Sequence, residues 1–204
     1  MRGDDVGIVN GPRLPQLVLA DLTEEQRRTY DAVFSGPRRG STAVDGEGRI
    51  GGPLNAWLHA PLIGNAQQAC GAALRFELSL SRRVAELVVL TVAHDAESAF
   101  EVAAHEWMGY DAGLTHDQID ALRERREPEL EDAIERTAWR TAIRLLETGD
   151  LDDAAYDEAV GTLGERGLVE LVTLVGYYRL LALQLRAFRV SSEEYRGPRL
   201  PDRA

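Results

Sequence analysis

Apolar positions recur along this chain at spacings of three and four, and nowhere alternate with a period of two between turns, so the pattern is helical throughout. Thr23-x-x-Gln26 has capping-box spacing and predicts a helix from about Glu24 to Phe34. Pro61 suits a first helical position. After it Leu62, Ile63, Ala66, Ala69, Cys70, Ala73 and Leu74 share one face. Ser81 caps the next segment, where Val84 to Ala93 is apolar on nearly every side except at Glu86, the mark of a buried helix. Further helices are predicted from about Ser98 to Asp111, after the capping box Thr115-x-x-Gln118, from Pro128 to near Gly149, from Asp152 to Gly164, and from Glu165 to Phe188. The fold class is all-α, with about eight helices.

Between these segments the chain reads as one helical domain over 23–190, an extended arm over 1–22 and a loose tail over 191–204. The Gly-rich stretch 35–53 is long for a connection and has the character of a lid or binding loop. An internal echo is also present: Arg82-x-x-x-Glu86-Leu87-Val88-x-Leu90 recurs 84 residues later as Arg166-x-x-x-Glu170-Leu171-Val172-x-Leu174. It predicts two related helical units packed about a pseudo-twofold axis. In each copy Arg and Glu are four apart, so a same-face ion pair is the plain structural role for both glutamates.

Composition narrows the function. With 34 acidic and 23 basic residues the net charge is −11, which disfavours nucleic acid and anionic membrane as partners. All the basic residues are arginine, so lysine imine chemistry is excluded. Cys70 is the single cysteine, which leaves no intramolecular disulfide and no multi-thiolate metal site. No signal peptide is expected, and the longest apolar run, Leu168 to Leu185, is interrupted by Glu170, Arg179 and Gln184, so no membrane span is expected either. The cytoplasm is the default compartment.

Three residues carry the candidate chemistry. Glu86 is the sole ionisable group in its apolar run, so it is either paired or shifted upward in pKa and suited to proton transfer. Glu101 and His105 are four apart on one helix face, a carboxylate that orients an imidazole. Ser98 lies on the same stripe, and Ser98-x-x-Glu101 is also capping-box spacing. Asn55, Trp57 and His59 form a mixed amide, aromatic and imidazole cluster suited to lining a pocket. His94 with Glu101 and His105 matches no established metal spacing, and no metal is expected. His116 follows a helix cap and is expected in solvent. Cys70 reads as a small buried hydrophobe.

Together, three segments resemble the carboxymuconolactone decarboxylase and alkylhydroperoxidase-D superfamily: Gly52-Pro53-Leu54-Asn55-Ala56-Trp57-Leu58-His59-Ala60-Pro61, Leu80-Ser81-Arg82-Arg83-Val84-Ala85-Glu86-Leu87, and the run from Phe100-Glu101 through Ala104-His105-Glu106. The resemblance covers about 53–123 and continues more loosely to Phe188. Thiol-dependent members of that superfamily carry Glu-x11-Cys-x2-Cys-x3-His. Counting from Glu86 places Ser98 and Glu101 at the cysteine positions and His105 at the histidine. The chain thus resembles the proton-relay half of that site without its dithiol, which peroxide reduction through an internal disulfide requires.

The resemblance implies an AhpD-like helical bundle that forms homo-oligomers (dimers, trimers or hexamers) and acts on a small molecule without an organic cofactor. The expected function is proton-transfer chemistry of lyase (carboxy-lyase) or isomerase type on a small carbon acid or lactone. His105 would be the acid or base, Glu101 its orienting partner and Glu86 a second proton carrier. Arg75, Arg82 or Arg83 would hold a substrate anion. Two alternatives stand beside it: peroxidase activity through Cys70 or an external thiol, and a non-catalytic oligomeric binding protein.

Overall fold

The computed structural model describes residues 11–35 and 43–203, so the start of the arm, the middle of the Gly-rich stretch and Ala204 lie outside the described residues. Among the described residues there are eight α-helices: α1 (Glu24–Phe34), α2 (Gly52–His59), α3 (Pro61–Phe76), α4 (Arg82–Asp95), α5 (Ala99–Asp111), α6 (His116–Arg123), α7 (Ala133–Thr148) and α8 (Asp153–Ala187). Extended pairing is limited there to two isolated bridges, Val18 with Arg49 and Val44 with Ile50.

The helix starts follow local chemistry. Thr23 and Thr115 both complete their capping boxes, and the Ser81 and Asp152 side chains accept from the first-turn N–H groups of α4 and α8. Three expectations need correction. α2 begins at Gly52, inside the stretch read as loop, because Pro53 is pre-organised for a first turn. α7 starts not at Pro128 but at Ala133, where the Asp132 carboxylate accepts from the N–H groups of Ile134 and Glu135. Ser98 precedes α5 without capping it, so the Ser98-x-x-Glu101 box does not form. The last two predicted helices do meet where expected: α8 is interrupted at Gly164, whose left-handed φ (73°) and non-helical ψ kink it into two helical halves.

α4 is the central element and packs against α5, α6, α7 and α8. Its opposite faces enter two separate apolar clusters: Val84, Val88 and Val92 join the larger one with Leu58, Leu171 and Leu174, while Leu87 and Leu90 join Leu114, Ile119 and Leu122. That double burial is why the helix is apolar all round, and each such side chain contributes about 1.5–3 kcal/mol. Gly109 lets α5 approach closely, since a Cβ there would stand 2.9 Å from the Leu90 side chain.

By length and composition α8 qualifies to cross a membrane, against the expectation. Half of its most apolar stretch, however, is buried against the rest of the domain, as in a core helix. The arm and the tail are both anchored. Leu17 N–H donates to the Asn55 side chain, and Arg13 N–H donates to the carbonyl of Phe188. The tail is a strap rather than a loose end. Glu194 accepts from Gly52 N–H and the Gln16 side chain, Pro201 O contacts the His116 ring, and Arg203 pairs with Asp117 and Asp120. His116, expected in solvent, is thereby tied down.

The two echoed segments pack against each other but use their glutamates differently. Arg166 and Glu170 form the expected i,i+4 pair (2.8 Å), and Glu170 also accepts from Ser79 and Leu80 N–H. Arg82 turns instead to Asp111 (2.8 Å), leaving Glu86 for another partner.

Candidate active site

α4 and α5 form a helical hairpin through the short turn Ala96–Ser98, which brings residues 19 apart in sequence face to face. There the His105 ring Nδ1 and the Glu86 carboxylate meet at 2.7 Å, with both residues buried (7% and 6% exposed). The His105 ring also meets that of Tyr178 on α8 in a T-shaped contact, at a centroid separation of 5.1 Å and an angle of 89°. His105 is thus clamped from α4 and α8, and the carboxylate that orients it is Glu86 and not Glu101. A one-turn neighbour on the same helix lies alongside the ring's own backbone, whereas the facing helix points its carboxylate at Nδ1.

Glu101 has a different environment. It is 3% exposed, and neither carboxyl oxygen has a hydrogen-bond partner of good geometry. Burial pushes its pKa up to about 8, only partly opposed by the nearby Ser98 hydroxyl. At neutral pH it is therefore mostly the neutral acid.

Glu101 and His105 both face a cavity of about 390 Å³. Its walls come from α2 (Trp57), α3 (Arg75), α5 (Phe100, Trp107, Met108), α8 (Tyr177, Tyr178) and the strap (Tyr195, Arg196). Phe100 and Tyr195 stack edge to face at 5.9 Å, which fastens the strap to α5. Burial raises the pKa of Tyr178 far above the ordinary phenol value, and the Glu86 charge adds to it. Tyr195 is raised as well, again chiefly by burial. Glu86 lines not this cavity but a second groove of mixed character, with Leu74, Arg75, Phe76, Arg82, Leu174 and Tyr178.

The sequence candidates therefore separate. His105, Glu101, Trp57 and Arg75 meet at the cavity, with Glu86 behind His105. Arg75 reaches the Met108 sulfur at 3.2 Å and forms no ion pair among the described residues. Arg82 and Arg83 are not anion holders at this site. Arg82 is taken by Asp111, and Arg83 by Glu135 (2.6 Å), Gln118 and the Gly113 carbonyl. Asn55 is a structural tie, donating to Pro15 O and accepting from Leu17 N–H, while His59 contacts Pro15 O outside the cavity. Ser98 is buried near Glu101, and its hydroxyl lacks a well-formed partner. Cys70 packs partly into the core and does not line the cavity. His94 sits 3.7 Å from Glu106, away from Glu101, and burial lowers its pKa. No group of three metal-ligating side chains occurs among the described residues.

Sequence reasoning missed Tyr178, Trp107 and the strap residues Tyr195 and Arg196. The Tyr177-Tyr178 pair inside an otherwise aliphatic helix was the one available signal.

This arrangement of eight helices around a Glu–His pair defines an AhpD-like fold, the fold implied by the resemblance to carboxymuconolactone decarboxylases. No protein-family model and no curated protein matches the chain. Among solved structures, it is similar to the alkylhydroperoxidase AhpD core of an uncharacterized peroxidase-related protein from Ralstonia eutropha. That match has 15% identity and a TM-score of 0.71, covering 94% of this chain and 98% of that one. It is also similar to a protein of unknown function from Agrobacterium tumefaciens grouped with the antioxidant-defence protein AhpD, with 18% identity and a TM-score of 0.59 over 66% and 93% of the two chains. A third is the debrominase Bmp8, in a cysteine-to-alanine form complexed with 2,3,4-tribromopyrrole, with 12% identity and a TM-score of 0.63 over 89% and 93%.

Proposed function

We propose that this protein catalyses proton transfer on a small carbon acid, of decarboxylase or isomerase type, with its own side chains as acid and base. The observation that carries the reading is the clamped Glu86–His105 pair at the wall of a cavity that also holds a buried, neutral Glu101. With Nδ1 engaged by Glu86, the ring is held in one orientation and presents Nε2 as its working nitrogen. Loss of a proton or of CO2 leaves an electron pair that must be delocalised onto an adjacent carbonyl oxygen. In this reading the neutral Glu101 carboxyl donates a hydrogen bond to that oxygen. His105 or Glu101 then returns a proton to carbon.

The proposal places the protein in the cytoplasm as a homo-oligomer. Exposed Leu62, Ile63, Val169 and Leu183 on α3 and α8 offer apolar contact surface for that assembly.

The test is a panel of small β-keto acids and unsaturated lactone acids incubated in D2O and followed by proton NMR for CO2 loss or deuterium uptake at carbon. A substrate turned over by the parent protein should be left untouched by His105→Gln. Wild-type turnover in that variant, or no turnover across the panel, overturns the proposal.

A further inference from the structure

The chain has 4 Phe, 3 Trp and 6 Tyr, thirteen aromatic residues in all, and seven of them line the one cavity that holds His105. Aromatics are scarce in this sequence (6%), so their concentration here is a property of the site and not of the composition. π-faces and edges reward a flat, conjugated guest over a puckered one of equal size. Two polar groups at the same walls lack protein partners suited to them. Among the described residues Arg75 has only the weak Met108 sulfur acceptor, and Glu101, in the cavity wall, carries a buried carboxyl without a well-formed hydrogen bond. A guanidinium without a carboxylate partner fits a ligand carboxylate, and an unsatisfied neutral carboxyl fits a carbonyl or hydroxyl oxygen on the ring.

The other charged groups limit the ligand's charge. Glu194 is engaged with Gly52 and Gln16, Arg196 lies 3.9 Å from Asp45, and the Glu86 carboxylate stands behind His105. Of the two arginines at the wall, Arg196 is shared with Asp45 and Arg75 alone has no carboxylate partner among the described residues, which suits one negative charge and disfavours two.

We infer that the cavity is specific for a planar, conjugated ring monocarboxylate, its ring among the aromatic walls, its carboxylate on Arg75 and a ring oxygen substituent on Glu101. This rests on the proton-transfer reading for what happens to the ligand, but the binding itself does not need His105 to be active.

The experiment is calorimetric titration of the full chain with benzoate, cyclohexanecarboxylate, benzyl alcohol and phthalate at pH 7, repeated with benzoate at pH 9. Benzoate should bind with a Kd of about 0.1–1 mM, in line with nine heavy atoms at ordinary ligand efficiency. It should bind at least about tenfold tighter than the saturated acid, the uncharged alcohol and the dianion. Arg75→Gln should weaken benzoate by about tenfold and leave benzyl alcohol unchanged, which a merely structural role for Arg75 would not do.

Ionisation of Glu101 above about pH 8 places a second negative charge beside the bound carboxylate. Benzoate should therefore weaken by about tenfold between pH 7 and 9 in the parent and stay flat in Glu101→Gln. The other groups around Glu101 are Ser98 just before α5, His105 on α5 with Glu86 of α4 behind it, Arg75 on α3, Tyr178 on α8, and Glu194, Tyr195 and Arg196 on the strap. Both tyrosines are raised above the ordinary phenol value, so neither titrates in this window.

Equal affinity for benzoate and cyclohexanecarboxylate, unchanged binding in Arg75→Gln, tighter binding of phthalate, or no binding of benzoate at several millimolar would each overturn the inference. His105→Gln separates the two proposals. Retained benzoate affinity with an absence of turnover in the parent removes the catalytic reading alone, and loss of benzoate selectivity with intact turnover removes this one alone.

Discussion

Replacing Glu101 by Gln should make the protein more stable at alkaline pH and leave it nearly unchanged in acid. In the folded chain the Glu101 carboxyl titrates near 8, raised from an ordinary 4.5 by burial. Between those two values the folded protein retains a proton that the unfolded chain has released. Stability therefore falls as pH rises through that window and levels off above 8. Each pH unit crossed there costs about 1.4 kcal/mol, so the whole window amounts to about 5 kcal/mol, present in acid and lost by about pH 8–9. Water entering the adjoining cavity hydrates part of the ionised carboxylate and reduces the measurable difference to about 2–4 kcal/mol. Gln has nearly the same shape and no charge, so its curve lacks this fall, while every other titrating group is common to both proteins. Urea unfolding followed by tryptophan fluorescence at pH 5, 7 and 9 gives the two curves. Parallel curves, with a difference that changes by less than about 0.5 kcal/mol from pH 5 to 9, would refute the reading of Glu101 as a buried neutral acid.

Glu86→Gln keeps a group beside His105 Nδ1 but removes its charge, and turnover should fall by about 10²–10⁴-fold with the circular dichroism spectrum unchanged; wild-type kcat would remove Glu86 from the mechanism. Gly52→Ala should destabilise by about 2–4 kcal/mol, because φ there is +63° and the new methyl would meet the Phe100 ring at 2.6 Å; a melting temperature within about 1–2 °C of the parent would contradict this. Arg83→Ala should cost about 3 kcal/mol by leaving the buried Glu135 carboxylate without its partner, while benzoate affinity stays at the parent value; weakened binding would restore Arg83 to the site. Glu194→Ala should release the strap from the start of α2, seen as faster amide exchange over 191–203 and a stability loss of about 1 kcal/mol; unchanged exchange would show that Arg203 and the Phe100–Tyr195 contact hold it alone.

Helix existence was legible because it depends on neighbours in sequence. The capping hydroxyls of Thr23, Ser81 and Thr115 and the apolar spacing after Pro61 act within one or two turns. The misread start of α7 has the same cause: Pro128 and Asp132 are both competent openers, and only Asp132 has N–H groups in reach of its side chain. The segment around Glu86 was recognisable as buried, since an all-apolar helix must be covered on every side.

Sequence by itself determined the all-helical class and the burial of α4, and singled out Glu86, Glu101 and His105 as candidates. Tertiary structure decided who partners whom. Glu101 and His105 share a helix face, yet the α4–α5 hairpin puts Glu86 on the ring and leaves Glu101 alone in the cavity wall. Arg82 and Arg166 occupy equivalent places in the echoed segments, yet only Arg166 stays with its own glutamate, because Asp111 at the end of α5 lies within reach of Arg82. The strap that lines one side of the cavity had no periodic signal at all, since its order comes from contacts with α2, α5 and α6 across the fold. Spacing along a helix governs which groups share a face. The charge partner of a buried group is set by the helix packed against it, and that information is non-local.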